Sequence, residues 1–157
     1  MLGYHPVCQG HRAGNLSVAF GVAAQGAKMV DSEATTQGVV VVVRSSYLPE
    51  RSQPAQNRWF FSYRIRISNR GSIPVQLLNR HWVITDAHER VEEVRGPGVI
   101  GEQPRLAPGE SFEYTSFCPL ATPFGTMEGS YEMVTEDGER FWAKIGRFPL
   151  SQPLAVN

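Results

Sequence analysis

Three groups of residues have types and spacings that could do chemistry. The first is Gly96-Pro-Gly98-Val-Ile-Gly101, a GxGxxG pattern whose glycines, in a nucleotide-binding loop, permit a tight turn and close backbone approach to a pyrophosphate. The second is His81, Asp86 and His88, an imidazole and carboxylate set around a turn that suits cobalt or zinc better than magnesium. The third is the acidic pairs Glu92-Glu93 and Glu128 with Glu132, which raise the question of paired-carboxylate acid-base catalysis.

Each group has a plainer reading in its context. Pro104 and Pro108 follow the glycine pattern where a phosphate-binding helix would extend, and Glu102 beside it repels phosphate, so the glycines read first as a bent loop between strands. Bare amides in such a loop can still form an anion nest, which keeps Gly96, Gly98 and Gly101 as candidates for a phosphorylated nucleotide. His81 beside Trp82 reads as a strand histidine and His88 as an exposed turn residue. Glu128 and Glu132 share one face of a strand with Ser130 between them, with Arg64 and Arg66 as expected balancing charges across the sheet. Cys118, between Phe117 and Pro119, reads as a small apolar residue. No catalytic residue is assigned and no cofactor is implied; the chain reads as a non-enzyme.

The elements that must position these groups are strands. Residues 39–43 form a β-branched run fit for burial on both faces, and residues 49–54 a polar loop. Trp59, Phe61, Tyr63, Ile65 and Ile67 alternate with polar or outward residues. Residues 75–86 continue the pattern with Leu78, Trp82 and Ile84 expected on one face and Leu77, His81 and Val83 on the other. Residues 91–94 and 111–117 add short strands. Residues 125–136 and 139–148 make a final pair joined at Asp137-Gly138, expected as a two-residue type I′ turn. Seven to eight strands separated by turns predict an all-β, two-sheet antiparallel sandwich. On this alternation Phe60 opposes Trp59, while Trp142 and Phe148 oppose Phe141, so Phe60, Trp142 and Phe148 are candidate interaction residues.

Composition narrows the partners. Fifteen basic and fifteen acidic residues cancel in a chain of 157, which removes the general attraction to nucleic acid or anionic lipid. Only Lys28 and Lys144 among the cations are lysines, and arginine favours planar pairing with carboxylates. Apolar runs fall short of a membrane span, and two cysteines suit a reducing cytoplasm. Residues 1–35 read as a disordered extension rather than a secretory signal, with Met29 an equally good start for the folded part; residues 36–150 form the domain and 151–157 a tail.

Several motifs in one order resemble the ApaG family over residues 37–148. They are Tyr47-Leu-Pro-Glu50, Tyr63-Arg-Ile-Arg-Ile-Ser-Asn69, Val75-Gln-Leu-Leu-Asn-Arg-His-Trp82, the glycine block after Val91-Glu-Glu-Val94, Leu106-Ala-Pro-Gly-Glu-Ser-Phe-Glu-Tyr-Thr-Ser116 and Gly125-Thr-Met-Glu-Gly-Ser-Tyr131. The resemblance implies a fibronectin type III-like sandwich, a cytoplasmic setting, a link to cobalt resistance and magnesium transport, and a protein-interaction role. It supplies no catalytic residue. The expected partner is another protein or a second copy of the chain.

Overall fold

The computed structural model describes residues 30–153, and these fold into two antiparallel sheets. The strands in chain order are β1 Ser32–Thr36, β2 Val39–Tyr47, β3 Trp59–Asn69, β4 Val75–Asp86, β5 Val91–Pro97, β6 Arg105–Leu106, β7 Ser111–Leu120, β8 Phe124–Thr135 and β9 Arg140–Ser151. One sheet has the order β1-β2-β3-β7; the other runs β5-β4-β8-β9, with β6 also pairing to β4. The sandwich is the one the strand spacing predicts. Its nine strands exceed the expected seven to eight because β6 is only two residues long and β1 lies in the segment read as an extension.

That second difference moves the domain boundary. β1 pairs with β2 from Ser32↔Val43 to Thr36↔Val39, and Asp31 Oδ2 accepts a 2.6 Å hydrogen bond from the Ser45 amide, so the sandwich begins ahead of residue 36. The turn between them places Gln37 at φ 47° and Gly38 at φ 81°, the paired left-handed conformation of a type I′ hairpin. A Cβ on Gly38 would stand 2.8 Å from Gly71 Cα. The expected type I′ turn at Asp137-Gly138 is instead a three-residue loop: the Gly138 amide donates to Thr135 O (3.0 Å), the Thr135 amide to Glu139 O (2.8 Å), and only Gly138 is left-handed. An aspartate at φ below zero followed by a left-handed glycine gives the bulged alternative. Residues 1–29 and 154–157, which include most of the expected extension and tail, lie outside the described residues.

Alternation puts Phe61, Tyr63, Ile65 and Ile67 of β3 in the core, all buried. They meet Trp82, Met127, Tyr131 and Met133 of the other sheet; the Tyr63 and Trp82 rings are 5.3 Å apart. Two irregularities change the phase of this alternation. A register shift between Leu77 and Asn79 makes Leu77, not Leu78, share the buried face with Trp82 and Ile84. A second shift, between Met127 and Gly129 against β9, leaves Phe141, Ala143 and Ile145 inward before it and Phe148 and Leu150 inward after it.

Candidate interaction surface

The second shift decides one of the three expected surface residues. Phe148 is fully buried, its ring 6.0 Å from those of Tyr63 and Trp82, so it belongs to the core and not to an outer patch. Trp142 stands on the outer face of the five-stranded sheet, 46 % exposed. Phe60 stands on the outer face of the other sheet. The three are not brought together.

Phe60 does sit in a cluster. Its ring packs against Phe117 of β7 at 6.0 Å, and the Arg51 guanidinium lies over both rings, 5.0 Å from the Phe117 centroid and 6.0 Å from that of Phe60. Arg51 reaches this position from a single 3-10 turn, Pro49–Arg51, which Pro49 initiates with its fixed φ. The Ser52 hydroxyl anchors the turn by donating to Leu48 O (2.7 Å) and accepting from the Phe60 amide (2.9 Å).

Along the same face the period of two exposes Arg64 and Arg66 of β3, and Arg44 of β2 lies directly across from Arg64. Two guanidiniums opposed in register repel each other. Glu113 of β7 forks between its neighbours, 2.7 Å from Arg64 Nη2 and 3.7 Å from Arg66 Nε. Arg64 and Arg66 therefore do not balance Glu128 and Glu132 as the sequence suggests. Those glutamates belong to the other sheet, where Glu128 meets Arg147 (3.4 Å) and Glu132 meets Arg140 (3.8 Å) and accepts from Asn79 Nδ2 (2.8 Å).

The glycine block is a small hairpin. The Val99 amide donates to Glu102 O (2.8 Å) and the Glu102 amide to Val99 O (2.9 Å), closing a turn with Ile100 at φ 44° and Gly101 at φ 75°. Ile100 is β-branched in a left-handed conformation and is held there by packing on the core. Gly98, also left-handed, donates to Leu78 O (2.8 Å). Gly96 leaves room for the Arg80 guanidinium, whose Nη1 donates to Pro97 O (2.9 Å) and Gly98 O (3.0 Å). The Gly98 and Val99 amides are therefore already engaged, with Leu78 of β4 and with Glu102, and are not free to join a phosphate nest.

The metal candidates disperse. His81 faces outward from β4, with Nε2 3.5 Å from Glu93 Oε1, whereas Asp86 is an odd number of residues on, on the opposite face and about 16 Å away at the rise of a strand. Asp86 Oδ1 accepts from the amides of His88 (2.8 Å) and Arg90 (3.0 Å), which makes it the organiser of the β4–β5 turn; the His88 side chain is exposed. Among the described residues no three His, Cys, Asp or Glu side chains gather as a metal would require. Cys118 is buried. In the core, burial first and then the neighbouring Tyr114 hold the Tyr131 phenol well above its ordinary pKa, and the two hydroxyls hydrogen-bond each other.

Comparison with known proteins bears on the sandwich and its loops together. A family model described as the ApaG domain matches residues 49–135, from the Arg51 turn to the end of β8. The chain belongs to the ApaG family. Protein ApaG of Anaeromyxobacter dehalogenans strain 2CP-C is 54 % identical over 126 residues, covering 80 % of this chain and 99 % of that one. Protein ApaG of Bordetella pertussis is 55 % identical over 119 residues, covering 76 % and 91 %. A crystal structure of an ApaA protein from Bordetella pertussis superposes with a TM-score of 0.73 at 51 % identity, over 80 % of this chain and 99 % of that one. The ApaG names state no reaction. No helix among the described residues is long and apolar enough to cross a membrane.

Proposed function

We propose that this ApaG-family chain is a non-enzymatic protein-interaction module that receives an acidic segment of its partner on the outer face of the four-stranded sheet. The observation that carries this is the row Arg44, Arg64 and Arg66, continued by Arg51 over Phe60 and Phe117. Guanidiniums pair carboxylates in planar, bidentate fashion, and Arg and aromatic residues are the side chains most enriched among those that dominate interface energy. Protein is favoured over nucleic acid because the whole chain is neutral and because Arg51 already covers the rings on which a base would stack.

The ApaG resemblance adds a cytoplasmic setting and a connection with cobalt and magnesium handling. On this reading that connection is indirect and runs through the partner. A small-ligand site at Gly96, Gly98 and Gly101, or a metal site at His81, Asp86 and His88, has weaker support, since the loop uses its own amides and the three side chains point apart.

The test is anisotropy of a labelled glutamate-rich peptide. Wild type binds, Arg64→Glu weakens binding about tenfold or more, as the loss of a charge-assisted contact predicts, and Arg140→Glu on the other sheet changes it little. Equal binding by all three proteins would refute the assignment of the face.

A further inference from the structure

We infer that β5 is a self-pairing edge, through which two copies of this chain join their five-stranded sheets across a two-fold axis at Val94. Among the described residues β5 pairs with β4 alone and so ends its sheet. The direction of its backbone groups follows from the bonds that flank it. The Gly98 amide donates to Leu78 O (2.8 Å) and the Asp86 amide to Arg90 O (3.0 Å), and both contacts continue the register Asn79↔Pro97 to Thr85↔Val91. Hydrogen-bonded and non-bonded pairs alternate in an antiparallel ladder, so Glu92, Val94 and Gly96 bond toward β4. Val91, Glu93 and Arg95 then direct their amides and carbonyls out from the edge. Pro97, which has no amide, falls in the same outward series; its carbonyl already accepts from Arg80 Nη1 (2.9 Å) and has a second lone pair for the partner strand.

Charge selects this edge over the others. β1 carries only Glu33, β7 only Glu113, and β9 the three cations Arg140, Lys144 and Arg147 besides no acid, so each repels an antiparallel copy of itself or gains nothing from it. β5 carries both signs. An antiparallel copy centred on Val94 sets Glu93 opposite the partner's Arg95, and Arg95 opposite the partner's Glu93, each pair on one face of the joined sheet. Val91 faces the partner's Pro97, and the two Val94 side chains meet at the axis. Charges that guard an edge strand against indiscriminate pairing become attractive in this one register. The two-fold makes the contact isologous and closed, which stops growth at two copies. The surface is separate from the Arg44–Arg64 face, so the dimer and the partner reading stand or fall independently.

Sedimentation velocity of the full chain across a concentration series tests this. A reversible dimer is expected. Glu93→Arg and Arg95→Glu should each raise its dissociation constant tenfold or more, and the combined Glu93→Arg/Arg95→Glu protein should return to within about threefold of wild type, because the opposed charges are merely exchanged. Amide exchange at Glu93 and Arg95 should slow as concentration rises. A chain that stays monomeric at millimolar concentration, or a dimer indifferent to both single reversals, would overturn the inference. Both side chains are exposed, and circular dichroism of each variant checks that the sandwich is intact.

Discussion

Alanine at Gly98 and alanine at Gly101 ought to differ sharply, and the difference measures what the glycine block is for. At Gly98 a Cβ would stand 2.4 Å from the Glu102 carbonyl oxygen and 3.0 Å from its carbon, with φ at +61°. The left-handed backbone costs a non-glycine residue about 1–2 kcal/mol. Backbone cannot swing aside as a long side chain can, so relief requires Glu102 to move, and its two hydrogen bonds with Val99 are each worth about 1 kcal/mol. The sum is roughly 3–4 kcal/mol, on the order of 10 °C in Tm for a domain of this size. At Gly101, with φ +75°, a Cβ meets nothing within 4 Å, and only the conformational cost of about 1–2 kcal/mol remains. Gly96→Ala carries no left-handed cost, but its Cβ would stand 3.0 Å from Arg80 Nη1 and Nη2 and press on a guanidinium bonded to Pro97 O and Gly98 O, so its loss should stay below that of Gly98→Ala. Urea unfolding of the three variants gives the order directly. Equal losses at Gly98 and Gly101 would refute the steric account and return the glycines to some role outside the fold.

Other outcomes follow from the same geometry. Phe148→Ala should cost about 3–5 kcal/mol by leaving a cavity beside Tyr63 and Trp82, whereas Trp142→Ala should cost under about 1 kcal/mol; chemical denaturation separates them. Tyr131→Phe should cost about 1–3 kcal/mol by depriving the Tyr114 hydroxyl of a buried partner, measured the same way. Because burial raises the folded Tyr131 pKa above its ordinary value of 10.0, the unfolded chain ionises first; stability is intact below pH 10 and falls as pH climbs from there toward the folded value, with phenolate absorbance lagging until unfolding. Calorimetry with cobalt should give indistinguishable heats for wild type and His81→Ala.

Local alternation makes the core face of β3 readable from residues alone: Trp59 to Ile67 carry the period of two without interruption. The same logic failed at Leu77 and Phe148 for one reason. A bulge inverts the phase downstream, and nothing in the apolar pattern of β4 or β9 announces it until the partner strand is known. Gly129 was an available signal, since a glycine inside a strand marks close backbone approach, and its Cβ would meet His81 O at 2.0 Å. The Gln37-Gly38 turn is equally available in the sequence, and the strand before it, β1, lies ahead of the boundary expected at residue 36. Of the candidate surface, Phe60 was legible as an outward aromatic. Arg51 and Phe117 were not, because a 3-10 turn and an edge strand distant in sequence must first be folded together before their stacking exists.

Asn69 has a consequence of a different kind. Its buried side chain donates to Ile73 O (2.8 Å) and Leu106 O (3.0 Å) and accepts from the Gly71 amide (2.9 Å), while its backbone bonds to Gly109 and Glu110. It thereby pins two of the three places where the chain passes from one sheet to the other, before β4 and after β6. The intervening excursion is closed at its base by one amide, in the manner of a cross-link without a covalent bond. Variation at the tip of that excursion, such as a longer loop at His88, leaves this base in place. A family can therefore remodel one end of the sandwich while the arginine-bearing face keeps its shape.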